Sequence, residues 1–264
     1  MPGALSATRS FSLDNPSRFW ARSDVGSPQR SCCGNSSYHW KSFVITAVYF
    51  WKVPSRVIPF ALWSMAVDRR RLRSAQGISF AKMLGCGKGA TFTPSDADIH
   101  RWGMLICIED SQLEKFDSSP LVQRWRSRSS DEFRVLMQPI SSHGQWSKRE
   151  PFKVVVPEQE FSSKIVAITR ARITWRKNLA FWKSVPPIAH SLRQSPGLIS
   201  AIGVGEAPIG LQGTFSLWDS QESLKNFAYK SPAHKEAIMA TSREKWFTED
   251  LFARFQVKEI RGDL

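Results

Sequence analysis

The chain has little cysteine and few acids. Its four cysteines (Cys32, Cys33, Cys86, Cys107) form no CxxC pair and no paired spacing. That excludes a disulfide scaffold and a cysteine-based zinc or iron–sulfur site, and makes a reducing compartment the default. Only 23 Asp and Glu stand against 37 Lys and Arg, so the net charge is +14 and the pI about 10.0. Such a charge favours acidic partners: nucleic acid, anionic lipid or an acidic redox protein. No RNP, zinc-finger or helix-turn-helix signature accompanies it, so no nucleic-acid partner is expected. The basic residues are scattered, apart from Asp68-Arg69-Arg70-Arg71-Leu72-Arg73, which reads as a solvated helix face. No secretory segment is present. The apolar stretch Phe43–Val67 is broken by Lys52, Pro54, Arg56 and Pro59, too often for a membrane span. Gly85-Cys86-Gly87-Lys88-Gly89 lacks phosphate-loop spacing and reads as a connection between strands. There is no EF-hand pattern, and no Ser-His-Asp arrangement can be specified.

What the chain does have is a repeat. Asp110-Ser111-Gln112, Leu113, Phe116 and Ser119-Pro120 echo Asp219-Ser220-Gln221, Leu224, Phe227 and Ser231-Pro232. Upstream, Arg73, Gly77 and Gly85-Cys86-Gly87 echo Arg193, Gly197 and Gly203-Val204-Gly205, and Trp51 and Trp63 find counterparts in Trp175 and Trp182. A repeat points to duplicated architecture: agreement between halves reflects fold, and a reactive side chain in one half alone reflects function. Hydrophobic residues make up 42% of the chain, with eleven Trp and seventeen Phe, enough for a core or for a pocket taking a flat or long apolar ligand.

Residues 1–40 differ from the rest, with nine Ser, four Arg and only Asp14 and Asp24 as acids. That composition predicts a disordered or targeting tail over 1–41. The β-branched and aromatic run Phe43–Phe50 predicts a strand, and Arg56–Arg73 a helix stopped by Gly77. Strands follow at Ile78–Leu84 and His100–Glu109, then a helix at Ser111–Arg128 and a strand at Phe133–Ile140. The order β-α-β-β-α-β is ferredoxin-like. A first repeat over 42–141, a linker over 142–163 and a second repeat over 164–264 complete the division. In the second repeat, strands are expected at Ile165–Trp175, Leu198–Val204, Leu211–Trp218 and Phe252–Ile260. The helix Lys177–Arg193 is expected to be interrupted by Pro186-Pro187, and a helix over Ser220–Trp246 to break at Ser231-Pro232. The predicted fold class is α+β, with two fused ferredoxin-like repeats packed sheet on sheet as an α+β barrel.

Among five histidines, His234 is singled out because the first repeat has apolar Val122 in its place. Ser231 can cap and Pro232 can open a helix, which puts His234 in the first turn, where the dipole disfavours imidazolium. A neutral imidazole suits a metal or haem iron; capping or packing is the structural alternative. His190, after the Pro-Pro pair, is the second candidate, as a ligand or a polar catalytic group. His100 reads as structural. Arg170 and Arg172 share one strand face. If that face is the barrel interior, they could hold a carboxylate or haem propionate; otherwise they are a basic surface.

Several stretches resemble the spheroidene monooxygenases of carotenoid biosynthesis. They include Met83-Leu84-Gly85-Cys86-Gly87, Phe92-Thr93-Pro94, Gln138-Pro139 with Trp146, and Glu150-Pro151-Phe152. Later come Leu179-Ala180-Phe181-Trp182, Ala189-His190, Ile202–Pro208, Lys245-Trp246-Phe247 and Leu251–Phe255. The resemblance covers about Ser79 to Val257; at His143-Gly144 the chain departs from it. It implies a haem-dependent oxygenase that adds a keto oxygen near the end of an acyclic carotenoid, using O2 and a ferredoxin-like donor. Ser231–Lys235 also resembles the segment bearing the iron-ligating histidine in haem-degrading monooxygenases of this fold, which implies His234 as the iron ligand. Trp175, Phe181, Trp182, Phe215 and Trp218 are then expected to line a channel for the polyene. A cytoplasmic protein, peripheral to the membrane, is expected, or a plastid one if the tail is a transit peptide. Two alternatives stand beside this reading: a non-catalytic carrier of haem or a hydrophobic ligand, and a monooxygenase of the same fold acting on another apolar substrate.

Overall fold

The structure, a computed structural model, describes residues 43–154, 163–173, 178–206, 213–230 and 247–264. The first unit runs β1 (Val44–Lys52), α1 (Ile58–Arg73), β2 (Ile78–Gly87), β3 (Ala97–Glu109), α2 (Asp110–Asp117), α3 (Pro120–Arg126) and β4 (Asp131–Gly144). The second runs β5 (Ile165–Ile173), α4 (Asn178–Arg193), β6 (Leu198–Gly205), β7 (Gly213–Trp218), α5 (Gln221–Lys230) and β8 (Phe247–Arg261).

Several local outcomes differ from expectation, among them the start of β8 at Phe247 rather than Phe252. The helix predicted over Ser111–Arg128 is two helices, because Pro120 has no N–H to continue the first; the Ser119 hydroxyl accepts from Val122 N and starts the second. Conversely, α4 runs on through Pro186 and Pro187. The prolines are exposed, while Val185, Ala189 and Leu192 on the opposite side pack on the sheet and hold the helix there. Finally, β4 continues to Gly144, beyond the expected strand end.

Within each unit the sheet is antiparallel, with the first strand between the third and fourth. The sheets do more than face one another. Their edges join, β4 to β8 over a long ladder and β2 to β6 over a short one, closing a barrel in the order β1-β3-β2-β6-β7-β5-β8-β4. Closure removes the exposed sheet edges. Because side chains alternate, each strand feeds two cores. One set fills the barrel: Val48, Phe50, Phe133, Val166, Ile168, Phe215, Phe255 and others. The other set lies under the helices, in a first-unit layer around Tyr49, Trp51 and Trp125 and a smaller second-unit layer around Ile165, Ala167 and Trp218.

Candidate functional site

The two units can be compared residue by residue. Glu109 N donates to Gly77 O at 3.0 Å, and Asp219 N donates to Gly197 O at 2.9 Å. Both glycines sit at positive φ, and each is followed by a bulge, at Ile78/Phe80 and at Leu198/Ser200. Glu109 is therefore the structural counterpart of Asp219, one residue away from the Asp110–Asp219 match that the sequence suggests. Gly205, not Gly203, matches Gly85, and the counterpart of Trp51 is Ala171 rather than Trp175.

With this equivalence, the helix-facing side of the two sheets differs sharply. Tyr49, Trp51, Met83, Met104 and Ile106 of the first unit are all buried under its helices. Their counterparts are Thr169, Ala171, Gly203, Thr214 and Ser216. The ladders agree: Tyr49 pairs with Met104 and Thr169 with Thr214, while Met83 pairs with Met104 and Gly203 with Thr214. Five large side chains in one unit thus become five small ones in the other, which clears side-chain volume from the floor of the second helix–sheet layer. The floor's polar atoms are turned on one another. The Thr169 and Thr214 hydroxyls lie 2.5 Å apart, Ser216 Oγ donates to Ala167 O at 3.3 Å, and Trp218 Nε1 donates to Ser216 Oγ at 3.0 Å. One wall is Trp218 against Phe227 of α5, ring centroids 5.5 Å apart. Arg254, opposite Ala167 and 7% exposed, adds a buried cation where the first unit has Leu136 opposite Ala47. Small-surfaced, with aromatics and one cation at its edge, the floor suits a largely apolar ligand.

The barrel interior is different. It holds an apolar void of only about 10 Å³ beside Phe50, Leu84, Trp146, Ile168 and Phe215, roughly room for one water. One mouth is stoppered by the segment after β4. Trp146 and Phe152 are buried against Phe80, and Ser147 and Lys148 turn the chain at φ 57° and 59°. Glu206 holds this stopper by accepting from Trp146 Nε1 at 2.7 Å and Lys82 Nζ at 2.6 Å. Arg170 bridges Glu206 (3.0 Å) and Glu249, with its guanidinium 5.7 Å from the Trp146 ring centre. Glu249 also accepts from Ser147 N at 3.0 Å and Lys148 N at 2.6 Å. Burial works against the charge on both glutamates, yet both are held below the ordinary carboxylate value. The Lys82 and Trp146 hydrogen bonds and the nearby cations outweigh it for Glu206, and the two backbone N–H groups and Arg170 for Glu249.

These placements separate the residues singled out in the sequence. Arg170 shares the barrel face with Val166 and Ile168, on the far side of β5 from the small-residue floor. Glu206 and Glu249 occupy its guanidinium, so it is a fastener of the stopper. Arg172, next on that face, is exposed. Phe215 points into the barrel and Trp218 towards the helices, so they do not line one channel; an odd spacing on a strand puts two residues on opposite faces. His190 is exposed, because Val185, Ala189 and Leu192 take the sheet-facing side of α4. Trp182 is partly buried on α4. His234, Trp175 and the side chain of Phe181 lie outside the described residues. His100 is structural, its ring Nδ1 2.9 Å from Val53 O. Cys86 and Cys107 are buried free thiols, each pushed up by burial, Cys107 to about 12, which makes them inert rather than nucleophilic. The floor residues were missed because each is unremarkable alone; a correctly registered comparison of the repeats is the signal that finds them.

No family model matches the chain. Curated relatives do. The spheroidene monooxygenase of Rhodobacter capsulatus is 33% identical over 209 residues, 78% of this chain and 86% of the relative. That of Rubrivivax gelatinosus is 34% identical over 70% of this chain and 71% of the relative. That of Cereibacter sphaeroides is 35% identical over 75% of this chain, which spans 61% of that relative's length. Among solved structures, an aldoxime dehydratase is similar in fold, with a TM-score of 0.52, 10% identity, and 82% of this chain and 81% of that one covered.

Proposed function

Because the chain belongs to the spheroidene monooxygenase family, we propose that it is a monooxygenase that introduces a keto oxygen near the end of an acyclic carotenoid. O2, haem and a ferredoxin-like electron donor complete the proposed reaction. The observation that carries the reading is the exchange of Tyr49, Trp51, Met83, Met104 and Ile106 for Thr169, Ala171, Gly203, Thr214 and Ser216. It replaces large side chains by small ones on the helix-facing floor of the second unit alone.

The residues of that layer fit a haem. The floor is made of small residues, its hydroxyls are turned on one another or on the backbone, and its cation, Arg254, is of the right sign for a propionate. His234 would hold the haem iron, on the sequence argument from Ser231-Pro232. Among the described residues there is no cluster of three or more His, Cys, Asp or Glu that could hold a bare metal ion. A haem needs from the protein only one such axial ligand. When bound, haem would supply the activation of O2. The chain's own part is to position and to exclude: Trp218 and Phe227 wall the layer from water, and the floor sets how deeply a ligand lies.

The test is the visible spectrum of the protein supplied with haem, followed by product analysis with O2, reductant and an acyclic carotenoid. A Soret band that shifts or vanishes in His234→Ala, with a keto product from wild type, is the expected result. An unchanged band and full activity in the variant would remove His234 from the site. The same floor also favours a second reading, a non-catalytic carrier; haem uptake without oxygen consumption in the presence of reductant and carotenoid would select it.

A further inference from the structure

We propose that the outward face of α1 is a docking surface for an anionic lipid bilayer. The inference goes beyond the oxygenase reading and does not depend on it. The buried face of α1 is Ala61, Ser64, Met65, Asp68 and Leu72. Helical spacing leaves Pro59, Leu62, Trp63, Ala66, Arg69, Arg70 and Arg73 as one exposed stripe. The stripe is sorted along its length. Its first half is apolar, with Leu62 46% and Trp63 54% exposed side by side, and its second half is arginine. At 1.5 Å rise per residue the two halves sit about 10 Å apart along the axis, so a tilt of the helix lowers the apolar half towards the acyl boundary while the arginines stay at the phosphates.

Charge selects the partner. The helix contains one acid, Asp68, and it is fully buried, where it accepts from Arg124 at 2.5 Å, Arg71 at 3.2 Å and Trp125 Nε1 at 3.0 Å. The exposed stripe therefore presents cations without a carboxylate of its own. Arg70 and Arg73 have no carboxylate partner among the described residues. Arg71 also lies 5.9 Å from the ring centre of the exposed Trp63, and beside the helix Arg128 lies 4.7 Å from that of the half-buried Phe60, so both aromatics have a guanidinium next to them. Tryptophan flanked by arginine is the composition that settles at headgroup level. Among the described residues no helix is long and apolar enough to cross a membrane, so contact through α1 would be superficial.

The experiment is co-sedimentation of the full chain with vesicles of phosphatidylcholine alone or with about 30% phosphatidylglycerol, free of carotenoid. Binding is expected to the anionic vesicles only and to fall as salt rises. Arg70→Gln with Arg73→Gln should weaken it on the order of twenty-fold, about five-fold per cation. Leu62→Ser with Trp63→Ser should abolish it, with circular dichroism unchanged in both. Equal binding of wild type and both variants, or none by wild type, would overturn the proposal. So would a wild-type dimer in size-exclusion chromatography that the Leu62/Trp63 variant dissociates, because the face would then join two copies. Loss of haem uptake or of oxygenation has no bearing on any of these results.

Discussion

Gly85 stands directly opposite Gly205 where β2 meets β6. The two are structural counterparts, so the local twofold that relates the units passes between them, as it does again at the other seam, where Gln138 of β4 stands opposite its counterpart Gln256 of β8. From this point the matching of the halves runs outward along both sheets and ends in the contrast between a floor of large side chains and one of small ones.

That contrast can be exchanged by mutation. Putting the first unit's side chains into the second, as Thr169→Tyr with Ala171→Trp, should fill the layer and abolish haem uptake, read as loss of the Soret band. The melting temperature should hold or rise. The reverse change, Trp51→Ala, should cost about 3–5 kcal/mol and leave haem uptake intact, because Trp51 stacks between Tyr49 and Trp125 in the other unit.

Arg170→Met should lower stability by about 3–5 kcal/mol in denaturant unfolding, since Glu206 and Glu249 would keep their charges with one cation fewer between them. The Glu206→Gln variant should rescue part of that loss. If Arg170 instead holds a ligand, its loss will show in ligand affinity with stability unchanged.

Acid should unlock the stopper. Asp117, Glu206 and Glu249 are each held below the ordinary carboxylate value. For Asp117, burial opposes the shift, and the Tyr49 hydroxyl with Arg134 and Arg126 overcomes it. Groups depressed in the folded state contribute fully above the unfolded value of about 4 and lose that contribution as pH falls through their folded values. Asp250, raised mainly by burial, pulls weakly the other way. The melting temperature should therefore be level from pH 7 to about 5 and fall steeply below about 4. Glu206→Gln with Glu249→Gln should flatten that fall.

Gly89 lies at φ +78°, and a Cβ there would come within 2.2 Å of Ala201 O on β6. Gly89→Ala should cost at least 1–2 kcal/mol from the left-handed backbone alone, roughly 2–8 °C in melting temperature, with the backbone contact adding to it. Thermal denaturation followed by circular dichroism measures it. The glycine-rich run after β2 thus serves close approach between the units.

Much of the fold was legible in the chain. The strand runs from Phe43 and Ile165, the stops at Gly77 and Gly197, and the Ser119-Pro120 capping pair mark the elements and their duplication, because these signals are local. The site was less legible. The echo of Asp110-Ser111-Gln112 in Asp219-Ser220-Gln221 is the strongest in the sequence, yet it is one residue out of structural register. On a strand a one-residue slip exchanges the two faces. With that slip Phe215 matches Ile106 and belongs under the helices, whereas the structure puts Phe215 in the barrel and Ser216 on the floor. The two-residue slip at Gly203 keeps the face and so did less harm.

By itself, then, the sequence determined the α+β order, the duplication and the family, since propensity, turn chemistry and motif are properties of neighbouring residues. Only the tertiary structure decided that the sheet edges join into a closed barrel, that Arg170 is spent on Glu206 and Glu249, and that the small-residue floor faces the helices of the second unit. Those depend on register between strands far apart in the chain, which is set by packing and backbone pairing across the whole barrel.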